Sequence, residues 1–206
     1  MSGKFVTIDS RSVFMGGPGQ GGGGAAGGNV LTEVGAEKVG KFESQYLGGL
    51  RDKEVAAAFD KDGEQIFRTS GSTDMVKFQE YQIAQMQDSI LTHNHPVTGG
   101  SFSDSDIRLA IRGNVAEIRA VGSDGMGNHY AYSMIRPPDG WGPKEKYVGI
   151  LGPASDTVKD KLWGEIKAGR MSPSMAEFNH NHETMKIIAD AMGWNYSKKK
   201  IKVGFW

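Results

Sequence analysis

The sequence predicts an α/β domain with a central mixed β-sheet, and three observations carry that expectation. Segments patterned like strands alternate along the chain with segments patterned like helices, as α/β architectures require. Two apolar runs flank an Asp-Gly turn at Lys61-Asp62-Gly63, the mark of a β-hairpin. The last third of the chain reads as two helices, over about 155–192.

In chain order, residues 1–15 form a leader in which KFVTIDSRSVF alternates as a strand does. Residues 16–30 read as a flexible linker, because Gly16 to Gly28 holds nine glycines in thirteen residues and has almost no side chain to bury. A phosphate-cradling loop would need a GK[ST] ending, which is missing. The main domain is expected over 31–206. From Thr32, the spacing of Val34, Val39, Phe42, Tyr46 and Leu47 predicts a helix, with Gly35 and Gly40 weighing against it. EVAAAFD and EQIFR are the hairpin strands, and Ser70-Gly71-Ser72 is a second turn. Phe78, Tyr81, Ile83 and Met86 give a mixed pattern read as a helix over 78–88, and Ser89 to His93 is a buried strand.

Beyond that strand, Asp104 to Arg112 is a short helix, and Asn114 to Val121 and His129 to Ile135 are strands. Pro137 to Pro143 is a tryptophan-bearing loop, and Ser155 to Ala168 and Ser172 to Met192 are the C-terminal helices. The Lys198-Lys199-Lys200 run reads as a solvated strand edge.

Composition excludes several classes of function. Lys and Arg number 24 and Asp and Glu 24, so no electrostatic footprint points to nucleic acid or to a membrane surface. The absence of cysteine removes disulfides, thiolate metal sites and a cysteine nucleophile, so any metal must be held by His, Asp or Glu. No apolar run approaches the roughly 18 residues that span a bilayer, and Met1 to Met15 lacks the pattern of a signal peptide. A cytoplasmic protein is expected.

The chemistry concentrates in LTHNHPVTGGSFSDSDI, residues 91 to 107. In an extended strand His93 and His95 project to one side, while Thr92 and Asn94 face away and are expected to serve packing or outer-shell duties. Pro96 stops the ladder, and Gly99 and Gly100 let the chain fold back. Ser103 is placed as a helix N-cap, with Asp106 three residues later. Two imidazoles and a carboxylate suit a tetrahedral Zn2+ with a fourth position open to water, the arrangement of a catalytic site. Ser-x-x-Asp is also a version of the capping box, so a plain helix start stays open at this point.

The other histidines read as structural. His180 and His182 lie inside a helix, where residues two apart point about 200° around the axis and do not share a metal. His182 falls on an apolar stripe and is expected at the edge of the core, His180 in solvent, and His129 in a glycine-rich turn.

His93-Asn94-His95, the seven residues Pro96 to Phe102, and Ser103-Asp104-Ser105-Asp106 resemble the signature of the JAMM (also called JAB) zinc metalloproteases, His-x-His-x7-Ser-x-x-Asp. The His-Asn-His-Pro wording is similar to the RadC-like and phage-associated branches. The strong match covers about 16 residues. The resemblance implies a cytidine-deaminase-like three-layer sandwich, Zn2+ held by His93, His95 and Asp106, and cleavage of a peptide or isopeptide bond in a protein substrate. It also implies an upstream glutamate as acid/base. Glu54, at the head of the hairpin, has the matching context; Glu43 is the reserve and Glu64 a weaker choice. Ser103 is expected to stabilise an oxyanion while capping its helix.

Leader, spacer and this domain together resemble phage or prophage proteins. Leu47-Gly48-Gly49 and Ala26-Gly27-Gly28 are small-residue sites for self-processing in trans. The competing expectation is a non-enzymatic module of the same fold, with binding or a virion-associated structural role. A nucleobase deaminase is disfavoured, since its usual cysteine ligands cannot exist here.

Overall fold

A computed structural model describes residues 5–9, 30–96 and 99–204. The leader contributes β1 (Phe5–Asp9), and the glycine-rich run lies outside the described residues. Then come α1 (Glu33–Lys41), continued by a π turn (Phe42–Tyr46) and a 3-10 turn (Leu47–Gly49), β2 (Val55–Phe59) and β3 (Gln65–Ser70). β4 (Met75–Gln79), α2 (Glu80–Gln85), β5 (Ile90–Asn94) and α3 (Asp104–Gly113) follow. β6 (Glu117–Ser123), β7 (His129–Ile135), α4 (Lys144–Lys167), α5 (Pro173–Met192) and β8 (Asn195–Ile201) complete the chain.

The α/β class holds: six strands form a mixed sheet in the order β3-β2-β5-β6-β7-β8, and β1 pairs with β4 in a separate two-stranded sheet. β5 and β6 are parallel and the other neighbours antiparallel. A parallel pair needs a crossover, and α3 supplies it, so the motif spans the turn from the carboxyl end of β5 into the crossover helix. Ligands in α/β sheets gather at such ends.

Register sorts the sheet into two faces. Ala56, His93, Ala120, Tyr132 and Lys198 lie in one row, each opposite the next. Ala57, Thr92, Arg119, Ser133 and Ser197 form the next row, on the other face. The first face packs on α3 and α5 through Leu91, Ile107, Ala110, Ile118, Met185 and Ile188. The second packs Ala57, Phe59 and Ile90 against Val39 and Phe42. Helices thus cover both faces, and all five residues of β2 are buried.

Several elements depart from the sequence expectation. Phe78 belongs to β4, where Val76 and Phe78 turn inward on alternate positions, and the helix read over 78–88 shrinks to α2 behind a Gln79–Gln82 capping box. The strand read from Asn114 begins at Glu117, because Asn114 is the left-handed cap of α3, with φ 48°. The helix read from Ser155 begins at Lys144 and runs through Pro153. Proline costs one helical hydrogen bond, but the turn before it is anchored by buried Tyr147, which stacks on Trp194 and donates to Asp104 at 2.9 Å.

The lysine run does lie on an edge strand, β8, but Lys198 is half-buried over the rings of Tyr130 (4.5 Å) and Phe178 (5.0 Å). Of the two helical histidines, His182 lies at the edge of the core as expected, while His180 is buried rather than in solvent. His180 is buried against α4, with Nε2 3.2 Å from Ser155 Oγ, and His182 is half-buried with Nδ1 2.7 Å from the Tyr196 hydroxyl. His129 opens β7 and is buried beside Arg51 rather than standing in a turn. Among the described residues, no helix is long and apolar enough to cross a membrane.

Candidate metal centre

β5 aims His93 at the face shared with Ala56, and one further extended residue, held by the His95 N–H to Val121 C=O bond of 2.8 Å, brings His95 to the same side. Their Nε2 atoms stand 3.1 Å apart. The return loop is tight. A Cβ on Gly99 would fall 2.5 Å from the Cβ of His95, and one on Gly100 would fall 2.2 Å from the Phe178 carbonyl, so only glycine fits between the histidine strand and α5. The Gly100 carbonyl lies 3.1 Å from His95 Nδ1, which orients that ring with Nε2 toward His93.

α3 delivers the carboxylate. Ser103 Oγ accepts the Asp106 N–H at 3.3 Å, and Asp106 Oδ2 accepts the Ser103 N–H at 2.7 Å, so the capping box is real and reciprocal. It does not exhaust the side chain. Asp106 Oδ1, buried and making no hydrogen bond, lies 3.3 Å from His93 Nε2, and Oδ2 lies 3.7 Å from His95 Nε2. One geometry thus serves both contacts: capping fixes the carboxylate where the imidazoles point.

Glu54 completes the group. It lies two residues before Ala56, hence on the same face, and donor atoms of Glu54, His93 and His95 all fall within 4.8 Å of one another. Glu54, His93 and His95, 0, 0 and 3 % exposed, form a buried group that could hold a metal ion, and Asp106, 0 % exposed, lies beside both imidazoles. Donors around a tetrahedral ion at 2.0–2.1 Å stand about 3.3–3.4 Å apart, close to the spacing of the His93, His95 and Asp106 atoms.

The electrostatics agree with that use. Burial opposes the charged form of Asp106, but the His93 and His95 imidazoles outweigh it and hold the carboxyl well below the usual carboxylate range. Burial likewise opposes a charged His95, and the carboxylates of Asp106 and Glu54 together with the Gly100 carbonyl more than offset it, raising its pKa.

No family model, curated protein or solved structure matches the chain. The site's chemistry is carried by its own geometry.

The other glutamates go elsewhere. Glu43 is buried on the opposite face, where it accepts from Thr92 Oγ1 at 2.9 Å and from Arg119 at 2.6 and 2.8 Å, so it cannot serve as the reserve acid/base. Glu64 is exposed and pairs with Lys38. Leu47-Gly48 is buried in the 3-10 turn and offers no extended segment to a protease, while Ala26-Gly27-Gly28 lies outside the described residues.

Asn94, expected in packing or outer-shell duty, bonds through its amide to the backbone on either side of Glu54. A hydrogen-bond chain that no local sequence pattern spells lies nearby: the Tyr196 hydroxyl, beside His182 Nδ1, donates to Ser101 Oγ at 2.7 Å and ties β8 to the return loop. For Asn94 the signal was an amide at the end of a strand buried along its whole length, where a polar group needs partners.

Proposed function

We propose that this protein is a zinc-dependent hydrolase of the JAMM type, cleaving a peptide or isopeptide bond in a protein substrate. A cytidine-deaminase-like layering of helices about the mixed sheet belongs to the same reading, as does a setting in phage-associated protein processing within a host cytoplasm or virion. The observation that carries it is the buried group of Glu54, His93 and His95, with the Asp106 carboxylate 3.3 and 3.7 Å from the two imidazoles.

The residues fit the metal. Asp106 Oδ1 is a buried oxygen with no hydrogen bond, and two imidazoles face it at ligand-to-ligand spacing. His93, His95 and Asp106 would hold the ion. A bound Zn2+ supplies Lewis acidity and brings the pKa of a water down to about 7. Glu54, on the same face and beyond the reach of solvent, takes a proton on its carboxylate during attack and returns it to the leaving amine. Ser103 Oγ receives the Asp106 N–H, which leaves its own O–H to donate to the oxygen where charge develops.

The test is metal analysis and peptide-library hydrolysis by the native chain and by Glu54→Gln. Native protein should carry one zinc per chain and cleave; Glu54→Gln should keep the zinc and lose about 10²- to 10⁴-fold in rate.

One observation favours a second reading, a non-enzymatic metal-stapled module. The donors are all buried, and Glu54 is near enough to the imidazoles to act as a fourth ligand, which would close the coordination shell as in structural zinc sites. In that case Glu54→Gln weakens zinc retention itself, and the native protein cleaves nothing.

A further inference from the structure

We infer that Asn94, the residue between the two imidazoles, is a positioning residue that fixes Glu54 to the ligand-bearing strand. What Glu54 does there rests on the hydrolase reading; the clamp itself rests on backbone contacts. β2 and β5 pair from Phe59 opposite Ile90 to Ala56 opposite His93, and there the ladder ends, while β5 stays bonded to β6 through the His95 N–H to Val121. The Asn94 side chain replaces the missing rungs. Its Oδ1 accepts the Val55 N–H at 2.7 Å, and its Nδ2 donates to the Lys53 carbonyl at 3.1 Å. These two groups flank Glu54.

The Glu54 backbone is held as well: its N–H donates to the Ser72 carbonyl at 2.7 Å, and its own carbonyl accepts from Gly71 at 2.9 Å. Four hydrogen bonds therefore set the direction of one Cα–Cβ bond. Two come from the turn between β3 and β4, and two come from a residue flanked directly by the two imidazole ligands. A primary amide offers an acceptor and a donor side by side without depending on protonation, the complement of one peptide N–H and one peptide C=O. Asn94 is 1 % exposed, so the pair is made in a low-dielectric interior where neither half is replaced by water. Ligand strand and base are thereby joined into one rigid unit, and a misplacement of about 1 Å at such a centre costs on the order of 10²-fold in rate.

The experiment uses the full chain with Asn94→Leu, Asn94→Asp and Glu54→Gln, and reads two things. In amide hydrogen exchange, Asn94→Leu should speed exchange at Val55 at least tenfold and leave Leu91 unchanged, while Asn94→Asp, which keeps the acceptor, should protect Val55 as the native protein does. In zinc titration and hydrolysis, Asn94→Leu should bind zinc within about threefold of native and lose on the order of 10²-fold in rate, with no further loss when combined with Glu54→Gln. Unchanged Val55 exchange in Asn94→Leu overturns the clamp, and so does a rate loss that multiplies with that of Glu54→Gln. Should Asn94→Leu not fold, Asn94→Asp decides: Val55 protection together with reduced hydrolysis supports the clamp, and native-level hydrolysis overturns it. A native protein that cleaves nothing removes the hydrolase reading, and the exchange result then decides the clamp alone.

Discussion

The two faces of the sheet each bury carboxylates beside β5, and they neutralise them differently. On the α1 face, Arg119 donates to both oxygens of Glu43 and, at 2.6 Å, to Glu117, which also accepts from Ser133 at 2.6 Å. Burial disfavours the charge on Arg119, but Glu43 and Glu117 outweigh it and raise its pKa. That network is complete within the protein. On the α3 face, the ion pairs of Asp106 among the described residues are with His93 and His95 alone, at 3.3 and 3.7 Å. No Arg or Lys pairs with Asp106 among the described residues, and a divalent cation is the partner that would complete the balance. One strand thus separates an ion network that finishes itself from a donor set suited to an added ion.

The largest effect expected from breaking this contrast is at Arg119. Arg119→Leu leaves Glu43 and Glu117 buried without a cation and should destabilise the fold by about 3–5 kcal/mol in denaturant unfolding, since removing one partner of a buried network exposes the full desolvation cost of the other. Zinc affinity measured on the still-folded protein should stay within about threefold. A large loss of zinc affinity there would mean that the two faces are not independent.

A smaller effect should appear at His182, which sits on the metal face but outside the donor set. Burial, reinforced by the Lys198 ammonium, depresses its pKa to about 4. The folded state therefore prefers the neutral ring, and the unfolded chain takes up a proton first as pH falls through about 6.5. Its contribution is fully present above about pH 6.5 and is lost progressively toward pH 4. Replacing it, as in His182→Gln, should flatten part of the fall in melting temperature between pH 7 and pH 4.5 relative to native protein. An identical pH profile in the variant would contradict the burial argument.

The strand, tight loop and helix start around His93, His95 and Asp106 were legible because alternation and capping are local rules, each spelled within a few residues. Glu54 was legible as a candidate, but its separation from Glu43 was not. Both precede or flank the same strands in sequence, and only the register of β2 on β5 shows which face each carboxylate meets. The outer-shell duty of Asn94 was legible, but its partners on β2 were not, because a side chain completing the end of a strand ladder leaves no periodic trace. α4 was misread at its start because Pro153 is a strong local stop signal, which Tyr147 and Trp194 override through contacts distant in sequence. β4 as a strand was not legible, and its last residues, Phe78 and Gln79, read as the start of a helix, because its partner, β1, lies some 70 residues earlier in the chain.

The most direct measurement is zinc-edge X-ray absorption on the purified full chain, beside Asp106→Asn. One tightly held zinc per chain with two imidazole nitrogens and carboxylate oxygen in its shell, and at least about 100-fold weaker binding in Asp106→Asn, is the expected result. A chain that takes up no zinc, or binds it equally well without the Asp106 charge, would contradict the metal centre.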